Sequence, residues 1–192
     1  MKTLFFDLET TGLSTEKNEI LEIASIVYNE DTNTIEDTYN TFIKPKTSIP
    51  YQITQLTGIT NSMVANCRGE GVVLLDFMNW VANHNCAQVA GHNINRFDVP
   101  WIEQKTKKFF IDNTLPRVQI DTLVMAREAY SQGVLDNYSY TTARGNMSFK
   151  LEFLMDYYHL GTQEHKALSD VQYNIMVYRR LKEALENVDY GF

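Results

Sequence analysis

Cysteine is scarce in this 192-residue chain. Only Cys67 and Cys86 are present, too few for a disulfide framework. Long apolar runs are missing, and none approaches the ~20 residues that a bilayer crossing needs. The opening, Met1-Lys2-Thr3-Leu4-Phe5-Phe6-Asp7, turns acidic after a stretch too short for a secretory leader. These absences predict a reduced, cytoplasmic protein with no membrane association. Repeats, low-complexity tracts and linkers are absent too, so residues 1–192 are expected to form one domain. Cations are outnumbered: 17 Lys and Arg against 24 Asp and Glu give a net charge of −7. That balance argues against a broad electrostatic grip on duplex DNA, which needs many cations over phosphates. It leaves room for a small site that handles a nucleic-acid end.

What is present fits an ordinary globular fold, with 44% apolar and 21% charged residues. Residues 2–8, 19–28 and 33–44 read as strands, with turn residues between the last two, which predicts an antiparallel meander. Residues 87–91 and 118–120 are short apolar strands. Helical spacing appears over 60–66, 71–83, 99–109, 121–130, 149–158 and 167–186. In the segment 71–83 the spaced residues are Val72, Leu75, Met78 and Val81. Strands that are first antiparallel and then alternate with helices predict an α/β fold with a mixed five-stranded sheet flanked by helices.

Asp7 and Glu9 lie two apart on a strand, so both carboxylates share one face. Core acids are costly unless something cationic offsets them. Asp98 follows the strand 87–91 and precedes Pro100, where a helix cap is its ordinary role. Asp170 falls in the first turn of the last helix, a favoured place for an acid, and His165 lies in the loop before it. Each fragment taken singly has a bland explanation.

Together they do not. Asp7-Leu8-Glu9-Thr10-Thr11-Gly12-Leu13, then Gly91-His92-Asn93 with Phe97-Asp98, then His165-Lys166-Ala167-Leu168-Ser169-Asp170 resemble the three motifs of the DEDDh exonucleases. These are the DnaQ-like 3′-to-5′ exonucleases of the ribonuclease H-like fold, a group that includes polymerase proofreading subunits and three-prime repair exonucleases. Leu56-Thr57-Gly58-Ile59-Thr60 and Asp121-Thr122-Leu123 match weaker signatures, and the resemblance covers nearly the whole chain. It implies that Asp7, Glu9, Asp98 and Asp170 are metal ligands and that His165 is the general base. Four converging carboxylates repel by about 4 kcal/mol per pair at 4 Å and an effective dielectric near 20. Two divalent ions relieve this, and all-oxygen ligands suit Mg²⁺ or Mn²⁺.

The resemblance also implies substrate contacts at Thr10, Leu13 and Asn93, with Leu13 exposed beside the acids as a wedge between the last bases. Where relatives carry His and an upstream Glu, this chain has Thr57 and Gln52. The expected substrate is a nucleic acid with a free 3′ end, single-stranded DNA before RNA. Oligoribonucleases carry Met where this chain has Thr10. A DNA polymerase or clamp is the expected protein partner, with any proofreading done in trans. A non-catalytic module on the same fold is the rival from another class. Residues 131–148 read as a surface hairpin, with base stacking by Tyr138, Tyr140 and Arg144 as the alternative. Lys105, Lys107 and Lys108 read as a solvated helix end, with a phosphate track as the alternative.

Overall fold

Strand β1 (Lys2–Thr10) runs through the centre of the fold. The computed structural model describes residues 1–162 and 166–187, and in it the side chains of β1 alternate between two cores. Leu4, Phe6 and Leu8 join Val73, Phe77 and Met78 of helix α3 (Glu70–His84) and Trp101 and Ile102 of α4 (Asp98–Phe109). Phe5 turns the other way, onto Val171, Ile175 and Tyr178 of α7 (Ala167–Glu186). Period two then puts Asp7 and Glu9 on the α7 face. Burying four large apolar side chains stabilises β1 by roughly 6–12 kcal/mol, at about 1.5–3 each, enough to hold two acids in place.

β1 pairs antiparallel with β2 (Ile20–Asn29), and β2 antiparallel with β3 (Thr34–Phe42). On its other side β1 pairs parallel with β4 (Gln88–Gly91), and β4 parallel with β5 (Val118–Asp121). The sheet order is β3-β2-β1-β4-β5, the mixed sheet that the sequence pattern predicts. Gly91 ends β4 where a Cβ would meet the Phe6 carbonyl oxygen at 3.0 Å, so the close approach of β4 to β1 requires glycine. At the opposite end of the sheet Glu30 accepts from Lys182 at 2.7 Å and from the Tyr178 hydroxyl at 3.1 Å. This anchors α7 against the sheet. Among the described residues no helix is long and apolar enough to cross a membrane.

Three features of the fold depart from the sequence pattern. Helix α1 (Tyr51–Thr57) is an addition, a single short segment between Pro50 and the left-handed Gly58, with the exposed Tyr51 and Leu56 hiding its amphipathic pattern. In α3 the buried stripe is Val73, Leu74, Phe77, Met78 and Val81, while Val72 and Leu75 face solvent. Two adjacent stripes share Met78 and Val81, and the packing onto β1 selects the first. Lys105 is fully buried, unlike the exposed Lys107 and Lys108. Its ammonium lies 3.4 Å from the buried Glu70 carboxylate and 5.0 Å from the centre of the Trp101 ring.

Past the end of α5 (Thr122–Ser131), the segment 131–148 contains the surface hairpin that the sequence reads there, closed by a Thr141–Met147 bridge. Tyr138 is buried and stacked on Phe149 at 5.2 Å, and Tyr140 stacks on Phe153. Their rings are spent on α6 (Leu151–Tyr157) and its approach, so the base-stacking alternative is overturned for both tyrosines.

Candidate active site

The acids meet where β1 passes the start of α7. One carboxylate oxygen from each of Asp7, Glu9 and Asp170 lies within 4.8 Å of the others. Asp7 and Glu9 are half-buried and Asp170 is buried. Asp170 arrives because Val171, Ile175 and Tyr178 seat α7 on the sheet, leaving the first turn of the helix over the acids of β1.

Asp98 joins from the opposite core. The N-cap of α4 is Phe97, with no side-chain capping bond, so Asp98 is not the cap that its position before Pro100 suggests. Its Oδ1 instead accepts the Leu8 backbone N–H at 3.0 Å. Asp98 is outside the tight three-acid group, yet after burial its charge is the strongest influence on Asp7.

Burial, then repulsion from Asp98, Glu9, Asp170 and Glu22, holds the Asp7 carboxyl well above the usual carboxylate range. Burial and the charges of Glu22 and Asp170 push Glu9 up to about 7. Asp98 is also raised, chiefly by burial, although the bond from Leu8 works against it. The named charges acting on Asp7 and Glu9 are all carboxylates. Such a set is costly without cations, and its donors are all hard oxygens, which suit hard divalent cations.

Glu22 is a further acid that motif reading passes over. It sits directly opposite Glu9 on β2, is buried, and is pushed up to about 7, mainly by burial. The signal was present: an acid in the apolar run Ile20-Leu21-Glu22-Ile23, with the same parity as Ala24 and Ile26, belongs to the α7 face.

The loop between β4 and α4 is pinned by a second set of polar contacts. Asp121, the N-cap of α5 (Thr122–Ser131), accepts from Leu123 N at 3.0 Å, Asn93 N at 2.9 Å and Asn95 N at 3.2 Å. These bonds hold Asn93 in a left-handed conformation, φ 61°. His92 Nδ1 lies 3.0 Å from the Thr122 hydroxyl, and burial pulls its imidazole down to about 4. It is therefore neutral at pH 7 and acts as a joint between loop and helix. His92 and Asn93 line an open groove with Arg127, Phe149 and Lys150.

The remaining predicted contacts lie on separate elements. Leu13 is 87% exposed, as its place after Gly12 suggests. Thr10 is buried, and its hydroxyl donates to the Gly12 carbonyl at 2.7 Å. Gln52 is exposed on α1. The Thr57 hydroxyl donates to the Ile53 carbonyl at 3.0 Å and accepts from Ile59 N at 3.1 Å, closing α1. His165 lies outside the described residues.

A mixed sheet of this order, flanked by helices, is the ribonuclease H-like fold. The fold matches the crystal structure of E. coli exonuclease I in complex with a dT13 oligonucleotide. The TM-score is 0.84 at 20% identity, over 97% of this chain and 42% of that one. The exonuclease family model (RNase_T) matches residues 4–178, and the chain belongs to that family. It is 32% identical over 184 residues to a PolC-type DNA polymerase III of Caldanaerobacter subterraneus subsp. tengcongensis. That match covers 95% of this chain but only 12% of the polymerase. It is 27% identical over 179 residues to the DNA polymerase III subunit epsilon of Aquifex aeolicus, covering 93% of this chain and 79% of that subunit. Dependence on divalent metal is a property of the family.

Proposed function

We propose that this chain is a metal-dependent 3′-to-5′ exonuclease that releases nucleoside 5′-monophosphates from the 3′ end of DNA, single-stranded or frayed. The observation that carries this reading is the convergence of Asp7, Glu9 and Asp170 within 4.8 Å in a chain of the exonuclease family. The polymerase relatives favour DNA over RNA and support association with a DNA polymerase. Residues 1–192 act in this reading as one catalytic domain in the cytoplasm.

Asp7, Glu9, Asp98 and Asp170 would hold two divalent ions, Mg²⁺ or Mn²⁺, which when bound supply positive charge at the scissile phosphate and a more acidic water. His165 accepts the proton of the attacking water, a task that an imidazole can perform near neutral pH. His92 does not compete for that proton, because its burial leaves it a poor base at neutral pH. Leu13 presses its exposed side chain between the last bases. Thr10 and Asn93 orient the terminal nucleotide, the first through its backbone because its hydroxyl is engaged. Gln52 supplies an exposed amide, and Thr57 contributes through the helix that it closes.

Digestion of matched single-stranded DNA, duplex DNA and RNA, each labelled at the 5′ end, tests the reading. With Mg²⁺ or Mn²⁺ the DNA strand should shorten stepwise and faster than the RNA, and EDTA should stop it. Equal digestion in EDTA overturns the metal site, and faster digestion of RNA reverses the substrate assignment.

A further inference from the structure

Lys105 is fully buried more than a helical turn beyond Pro100, and it joins the first residue of α3 to the turn after β1. Its Nζ donates to the Asn18 backbone carbonyl. The Glu70 carboxylate beside it, 3.4 Å away, accepts the Ile20 N–H at 2.9 Å. The two ends of this buried ion pair therefore grip Asn18 and Ile20, the limb by which the turn re-enters the sheet.

Asn18 passes that grip to the rest of the turn. Its Oδ1 accepts Ser14 N at 3.0 Å, and its backbone N–H donates to the Ser14 carbonyl at 2.9 Å. Its carboxamide fills the space beside Gly12, where a Cβ would come within 2.7 Å. Thr11 and Glu19 close the base through Thr11 N to Glu19 O and Glu19 N to Thr11 Oγ1, both 2.9 Å. Leu13 stands at the crest of this clasp with its side chain in solvent.

An apolar residue at position 105 would fill the core as well as a lysine. Buried ion pairs are often no more stabilising than apolar replacements, and fixing a register is their best-attested use. An ordered turn that presents an exposed leucine gains nothing from the core, but it removes an ordering cost when a ligand binds. We infer that Lys105, paired with Glu70, is a positioning residue that holds the Asn18 clasp and so pre-sets Leu13 for the terminal bases of the strand. This rests on the exonuclease reading above and adds to it a determinant of strand binding remote from the acids.

The test compares two substrates, a single-stranded oligonucleotide and the p-nitrophenyl ester of thymidine 5′-monophosphate, which has no neighbouring base for Leu13 to contact. Lys105→Met/Glu70→Gln leaves no buried charge and keeps an acceptor for Ile20. It should raise KM for the oligonucleotide about tenfold, with kcat and the ester reaction changing less than about threefold, the signature of lost uniform binding. Leu13→Ala should raise KM similarly in the wild type and add little in the double variant, because the two act through one contact. Should the double variant not fold, Asn18→Ala on the surface turn carries the same comparison. An unchanged KM in a folded variant, parallel loss on both substrates, or additive effects with Leu13→Ala each overturn the inference. A wild-type protein that hydrolyses neither substrate overturns the functional reading, and this inference with it.

Discussion

The Leu8 backbone N–H donates to Asp98 Oδ1 at 3.0 Å, joining residues 90 apart in sequence. Leu8 lies between Asp7 and Glu9, so the same carboxylate that charges the site also fixes the strand carrying its other acids. The two roles separate on substitution. Asp98→Asn keeps an acceptor for Leu8 and removes a repelling charge, so the metal-free protein should be at least as stable as the wild type at pH 8. Asp98→Ala leaves a buried N–H unpaired, at a cost of about 1–3 kcal/mol. Urea unfolding of the two variants should show that gap, while both lose nuclease activity. Equal stability of the two would mean that the Leu8 bond contributes nothing.

Stability without metal should fall as pH rises. The Glu9 and Glu22 carboxyls are raised from 4.5 to about 7, so the folded state holds protons that the unfolded chain has released. Their favourable contribution is complete below about pH 4.5 and is lost as pH climbs towards 7. Melting temperature in EDTA should be lower at pH 8 than at pH 5. Mn²⁺ binds the deprotonated acids and should narrow that difference. Glu22→Gln should raise the melting temperature in EDTA at pH 8 and leave it nearly unchanged at pH 5. A profile flat across this range would show that the acids do not strain the fold.

His165 and Asp170 should fail differently. Asp170→Asn removes one of the three converging carboxylates, so calorimetric Mn²⁺ affinity and turnover should both fall. His165→Ala should keep Mn²⁺ affinity and lose ~10²–10⁴-fold in rate, the usual cost of removing a general base. The acidic limb of its pH–rate profile should flatten with it. Wild-type rate and pH dependence in His165→Ala would place the base elsewhere.

Tyr138 offers a control on the hairpin. Its hydroxyl donates to the Ser148 carbonyl at 2.7 Å, and its ring stacks on Phe149. Tyr138→Phe should cost about 1 kcal/mol of stability for the lost bond and leave oligonucleotide KM unchanged. A rise in KM at unchanged stability would restore a base-stacking role.

The sheet and the acids were legible in the sequence because each rests on a local pattern. Ile20 to Tyr28 is β-branched and apolar enough to read as a strand, and the period of two places Asp7 with Glu9. Lys105 was not legible, since Lys105-Thr106-Lys107-Lys108 looks like a solvated helix end. Its burial depends on Glu70 and Asn18, brought together only by the packing of α3, α4 and the turn after β1. The same limit applies to Asp98, whose position before Pro100 suggests a cap while its partner, Leu8, lies on another element. Asp121 likewise reads as the start of a helix, and its hold on Asn93 and Asn95 comes from the parallel pairing of β4 with β5.

The central claim is that the gathered acids serve cleavage that starts at a free 3′ end. Incubating a linear single strand and its circularised form together, with Mn²⁺, tests this most directly. The account predicts that the linear strand is consumed stepwise from its 3′ end while the circle stays intact over the same time. Nicking of the circle at a comparable rate would contradict it, and would make the same acids the centre of an endonuclease.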